Sequence, residues 1–134
     1  MALSGGIPMA EQLEQPAEVV RLTVRPQFLF VRGGVSERRR SLVVQARIRP
    51  GGGAHVGEGY TATKKVGNSV VRNRSRRRLK EAARQLPRHG VPGADYVFIA
   101  RMDTGEIDWQ RLLDDMESAL ISLAATLRAG SGTA

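Results

Sequence analysis

Between Lys64 and Arg84 the chain reads KKVGNSVVRNRSRRRLKEAAR, and this stretch restricts the fold more than any other. Nine of its residues are basic and one, Glu81, is acidic, so its net charge of +8 equals that of the whole 134-residue chain. Elsewhere basic and acidic residues cancel. The charge is placed rather than spread. Gly67-Asn68 carries turn chemistry, and Asn68 or Ser69 can cap a helix that follows. At helical spacing Val71, Ser75, Leu79, Ala82 and Leu86 form one small or apolar stripe. Asn73, Arg77, Lys80 and Arg84 lie opposite, with Arg74 and Arg76 on the flanks. The pattern predicts an amphipathic helix with one buried face and one guanidinium face.

In isolation that helix is poorly arranged. Arg72 and Arg76, Arg74 and Arg78, Arg76 and Lys80, and Lys80 and Arg84 are like-charge neighbours one turn apart, each unfavourable by about 0.2–0.5 kcal/mol. Lys64, Lys65 and Arg72 crowd the positive end of the helix dipole. A polyanion docked on this face reverses the sign of each of these terms. The plain alternative is a solvated basic face that serves solubility, although such faces usually mix signs. Six of the seven basic residues from Arg72 to Arg84 are arginine, whose planar fork grips phosphate and stacks on bases. A sequence pI near 11.2 agrees with a nucleic-acid partner, or with an anionic membrane surface.

The length suits one domain, expected over residues 21–129, with flexible extensions at 1–20 and 130–134. With no cysteine there is no disulfide frame and no thiolate metal site, which fits a reducing cytoplasm. No apolar run approaches membrane-spanning length, and the first residues lack the pattern of a signal peptide. Pro26 can open a short helix that Gly33-Gly34 ends, with Phe28 and Val31 three residues apart. Arg38-Arg39-Arg40 is a second basic cluster on a strand end or loop, either solvated or extending a nucleic-acid surface. Leu42 to Arg49 alternates as a half-buried strand, and Pro50 to Gly53 reads as a hairpin loop. The segment 57–65 returns as a strand with Tyr60, Ala62 and Lys64 on one side.

Residues 89–93 form a loop, and 95–102 a strand with Tyr96, Phe98 and Ala100 on one face. A long helix follows, with Trp109, Leu112, Leu113, Met116, Leu120, Leu123 and Leu127 as its stripe, Asp108 as cap and Gly130 as stop. The order of elements predicts an α+β two-layer sandwich, a sheet of about four strands with a short, a basic and a long helix.

The glycine clusters are not followed by Gly-Lys-Ser/Thr, so no phosphate-binding loop of the nucleotide-hydrolase kind is present. A protein nuclease needs an acid–base pair or carboxylates that hold metal ions. His55 and His89 sit far apart in predicted loops, Asp114 and Asp115 point in different directions from one helix, and Asp95, Asp103 and Asp108 lack metal-ligand spacing. Each reads as a cap, a turn residue or a solvated charge. Two non-catalytic readings stand beside a nuclease: a ribosomal-type RNA-binding module, and a DNA-binding protein with its helix in a major groove, which would need a helix-turn-helix partner or a dimer seam.

The segment 64–84, with its lysine pair, Gly67-Asn68 turn and Arg72-Asn73-Arg74 core, resembles the signature of the protein subunit of bacterial ribonuclease P. The match is contiguous and includes uncharged positions, and it continues more weakly through most of Arg21 to Leu127. The resemblance implies a fold similar to a ribosomal protein domain, with an unusual left-handed crossover through the basic helix. It also implies that a partner RNA is the catalyst, with magnesium held mainly by that RNA, and that the reaction removes the 5′ leader of precursor tRNA. Carried onto this chain, Lys64, Lys65, Asn68, Arg72, Asn73, Arg74, Arg76, Arg77, Arg78, Lys80 and Arg84 face the catalytic RNA. Phe28, Tyr60 and Tyr96 would line the leader cleft, or else be ordinary core. Gln27 stands where the resemblance calls for an acid. No protein catalytic residue, membrane or obligate protein partner is implied.

Overall fold

The computed structural model describes residues 18–86 and 90–133. Most of the extension expected over 1–20, together with His89 in its predicted loop, lies outside the described residues. Five strands form one sheet: β1 (Val19–Arg21), β2 (Val35–Arg38), β3 (Leu42–Ile48), β4 (Val56–Thr61) and β5 (Ala94–Ala100). Three helices complete it: α1 (Arg25–Arg32), α2 (Ser69–Arg84) and α3 (Trp109–Thr133). The α+β class is as expected, but there are five strands where about four were anticipated. The short edge strands, β1 and β2, have three and four residues, too few for an alternation to stand out.

The sheet order is β1-β4-β5-β3-β2. Strand β5 runs antiparallel to β3 and parallel to β4, so it separates the two strands expected to form a hairpin. The Pro50–Gly53 segment is therefore a connection past β5, not a hairpin turn. Burial explains the insertion: six of the seven residues of ADYVFIA are buried, and only the middle of the sheet covers both faces of a strand. β4 ends at Thr61, short of the expected boundary, because Lys64–Val66 turns as a 3-10 helix that leads into α2. At the chain ends, Val19 and Val20 pair with Val56 and Gly57 instead of belonging to a mobile extension. Helix α3 passes through Gly130 to Thr133. A glycine permits a helix stop but does not impose one.

On one face of the sheet α2 and α3 cover Leu42, Val44, Tyr96 and Phe98 with Leu79, Ala82, Leu112, Met116 and Leu123. On the other face the eight-residue α1 builds a smaller cluster of Leu22, Val31 and Val97, flanked by Phe28, Phe30 and Ile99. Gln27 starts α1: its Oε1 accepts from the Thr23 and Val24 amides at 2.8 and 3.1 Å. An amide oxygen thus does the capping work that an acid could do there. Gly34 lets the chain turn into β2 against β3, since a Cβ at that position would collide with the Ala46 carbonyl oxygen.

Candidate nucleic-acid interface

Asn68 caps α2 as anticipated, its Oδ1 accepting from the Val71 amide at 3.0 Å. Ser75 is buried in the stripe, and its hydroxyl donates to the Val71 carbonyl at 2.9 Å. With Ser75, Leu79, Ala82 and Ala83 inward, the helix turns Asn73, Arg74, Arg77, Lys80 and Arg84 to solvent, and Lys64, Lys65 and Asn68 are exposed before it. Arg76 is half-buried and donates to Asn73 Oδ1, and Arg84 pairs with Glu81 at 2.9 Å. The Arg72 Nε is buried without a hydrogen-bond partner.

Arg78 departs from the expected RNA-facing set. Its guanidinium donates to the carbonyls of Thr104 at 2.5 Å and Ile107 at 2.6 Å and lies 5.5 Å from the centre of the Trp109 ring. Desolvation, and then the Arg74 charge, hold its pKa below the ordinary arginine value. Helix geometry places it about 100° from Arg77, which is enough to turn it toward α3. The second arginine cluster is also partly internal. Arg39 pairs with Glu37 at 2.8 Å and reaches Ser118, Arg101 donates to the Arg39 carbonyl at 2.9 Å, and Arg40 meets Asp103 at 3.3 Å.

Two grooves border this basic surface. The first runs between α2 and the β1–β4 edge, in two continuous lobes of about 440 and 350 Å³ that share Arg21, Tyr60 and Lys80. Asn73, Arg76 and Arg77 line one lobe, and Glu58, Ala83 and Arg84 the other. At its floor the Tyr60 hydroxyl donates to Glu58 Oε1 at 2.5 Å. Burial raises the Glu58 carboxyl above its ordinary pKa, against the opposing effects of the Tyr60 hydrogen bond and the Arg21 charge. Burial and the adjacent carboxylate raise the Tyr60 phenol strongly, so it stays a neutral donor.

The second groove, about 530 Å³, lies between α1 and the sheet face that α2 and α3 leave uncovered. Phe28, Val97 and Ile99 give it an apolar floor, Gln45, Thr61 and Thr63 supply polar contacts, and Arg25 and Arg32 stand at its rim. The Phe28 ring lies over Gly59, where a Cβ would come within 2.7 Å of it. Arg25, Leu29 and Arg32 were missed from the sequence, although their spacing of four and then three residues puts them on one face of α1.

The aromatic set expected to line a leader cleft divides three ways. Phe28 lies in the second groove. Tyr96 does not: it is 1% exposed beneath the helices, its hydroxyl accepting from the Val91 amide at 2.9 Å, so it is core. On a strand buried on both faces, alternation assigns a side but not access. Tyr60 borders both grooves, yet one ring face stacks on Phe98 at 5.2 Å and Arg21 covers the ring at 5.3 Å, so only its edge is open.

The acidic residues weighed as catalysts have structural partners. Asp95 pairs with Arg49 at 2.6 Å, and Asp115 accepts from Ser41 at 2.8 Å. Asp114 accepts from Gln110 at 2.9 Å, and Asp108 caps α3 by accepting from the Arg111 amide at 3.2 Å. Among the described residues no three His, Asp or Glu side chains converge on a point that could hold a metal. The element before α2 is a strand and a 3-10 turn, so no helix-turn-helix partner precedes it.

A sheet with helices on both faces, a cation-lined helix and a separate apolar-floored groove define a small nucleic-acid-binding α+β protein. The ribonuclease P family model matches residues 17–124. The ribonuclease P protein component of Caulobacter vibrioides is 51% identical over 111 residues, covering 82% of this chain and 74% of that protein. That of Ruegeria pomeroyi is 47% identical over 107 residues, covering 78% and 86%. Among solved structures, the Staphylococcus aureus ribonuclease P protein matches with a TM-score of 0.63 at 25% identity, covering 75% of this chain and 91% of that one. The Thermotoga maritima protein gives a TM-score of 0.66 over 77% and 96%, a likeness of fold at 24% identity. The chain belongs to the ribonuclease P protein family. It is a subunit of a ribonucleoprotein endoribonuclease of tRNA 5′ processing, and a ribosomal-type module is not the favoured reading.

Proposed function

We propose that the exposed face of α2 binds the catalytic RNA of ribonuclease P, and that the α1 groove receives the single-stranded 5′ leader of precursor tRNA, in the cytoplasm. The observation that carries this reading is the separation of two chemically different surfaces. Lys64, Lys65, Arg74, Arg77 and Lys80 offer cations, and Asn73 an amide, to a structured backbone. The groove beside α1 instead joins an apolar, aromatic floor to two arginines at its rim, which suits bases below and phosphates above. Magnesium belongs mainly to the RNA in this scheme. The protein contributes position and charge, and no step of bond cleavage is assigned to it. No described helix is long and apolar enough to cross a membrane.

Binding of precursor and mature tRNA to the catalytic RNA, with and without this protein, tests the scheme. The protein should tighten the precursor more than the mature form, which has lost its leader. Phe28→Ala should shrink that difference by roughly tenfold, the worth of one stacked base, while affinity for the catalytic RNA stays unchanged. Equal tightening of both substrates would refute the leader groove, and specific 5′ cleavage by RNA-free protein would refute the division of labour.

A further inference from the structure

The groove between α2 and the β1–β4 edge contains a group that phosphate binding does not explain. Arg21, Arg76, Arg77, Lys80 and Arg84 line it, yet its floor carries the carboxylate of Glu58. Tyr60 takes one lone pair of that carboxylate at 2.5 Å, and among the described residues no arginine or lysine comes within ion-pair distance of it. The remaining acceptor sites of Glu58 therefore face the groove without a donor. The surrounding positive charge repels a metal ion, and a phosphate would be repelled by the carboxylate itself.

A neutral ligand edge with two adjacent N–H donors meets both conditions. Guanine alone among the RNA bases offers one, through N1–H and the 2-amino group. Adenine and cytosine set an acceptor beside their single amino group, and uracil flanks its N–H with two carbonyls. Arg21 lies over Tyr60, leaving the outer face of its guanidinium for a base to stack on. Arg77 and Lys80 stand where the attached phosphates would pass.

We propose that this groove holds one unpaired guanine nucleotide of RNA, its Watson–Crick edge on Glu58 and its flanking phosphates on α2. The inference rests on the reading of α2 as an RNA surface. The nucleotide belongs either to the catalytic RNA or to the leader.

Binding of labelled uridine pentamers with guanosine, inosine or adenosine at the centre to the full chain tests this. The guanosine pentamer should bind roughly tenfold tighter than the adenosine one, with inosine, which lacks the 2-amino group, between them. Glu58→Gln should abolish the preference and leave the salt dependence intact. Equal affinities with a steep salt dependence, or a preference that survives Glu58→Gln, overturn the guanine site alone. A salt-independent affinity overturns the RNA surface with it. In the assembled ribonucleoprotein, 6-thioguanosine placed in the catalytic RNA or in the leader should cross-link to β4 from one of them, which names the source. No adduct from either overturns the proposal.

Discussion

Arg78 and Arg77 are adjacent in a run of arginines, yet their substitution should have opposite consequences. Arg78→Ala removes two charge-assisted hydrogen bonds, to the Thr104 and Ile107 carbonyls. Such bonds contribute about 1.5–3 kcal/mol each where water is excluded, and the half-buried setting favours the lower end. The lost contact with the Trp109 ring adds about 0.5–1 kcal/mol. Relief of the desolvation and Arg74 repulsion that depress the Arg78 pKa returns part of this. The net loss should be about 2–3 kcal/mol, on the order of 10 °C in Tm for a domain of this size. Arg77→Ala should leave the melting curve nearly unchanged and instead reduce the log–log salt dependence of RNA binding by about 0.7–0.9. Arg78→Lys, which keeps the charge but not the fork, should recover only part of the stability and leave the salt slope as in wild type. Thermal melts followed by circular dichroism, paired with salt titrations, separate the two roles. A wild-type melt for Arg78→Ala, with a reduced salt slope, would refute the inward clamp.

Two further substitutions probe the grooves. Gly59→Ala sets a methyl within 2.7 Å of the Phe28 ring, so it should cost about 1 kcal/mol and displace the ring. Discrimination between precursor and mature tRNA should fall with it, and undiminished discrimination in a binding assay would remove Phe28 from the leader groove. Glu58 has a raised folded pKa from burial, so its favourable contribution is complete below the ordinary carboxyl value of 4.5 and is lost as pH rises through the higher folded value. Relative to wild type, Glu58→Gln should therefore gain stability across that rise and hold the gain at neutral pH, and a difference independent of pH would contradict the burial of the carboxylate.

The sequence made the elements legible but not their neighbours. The α2 stripe, its Asn68 cap and the Asp108 start of α3 follow from local periodicity and hydrogen bonding, and each is where it was expected. That β5 divides β3 from β4 depends on pairing between residues 38 to 58 positions apart, which no local pattern encodes. Tyr96 and Phe98 share the face assigned to them, yet how deeply they lie is decided by the helices packed over that face, which are separate elements. Arg78 was misassigned for a related reason. A charge run signals what solvent or a polyanion can reach, and one member rotated toward the carbonyls of another loop carries no distinguishing mark. The paired rim arginines of α1 were readable from their spacing but overshadowed by the denser cluster in α2.

Helix α2 is the covalent link between two parallel neighbours, β4 and β5. Antiparallel neighbours can be joined by a short loop, but parallel ones need a crossover that returns the chain to its starting end. The densest cluster of cations therefore occupies a segment that the topology cannot shorten or discard. An insertion in a surface loop leaves the wiring of a sheet unchanged, whereas shortening this helix would leave the central strand without a route to its place. The polyelectrolyte face and the connectivity of the sheet are the same stretch of chain, so variation that tunes charge here must preserve helical length and the phase of its buried stripe.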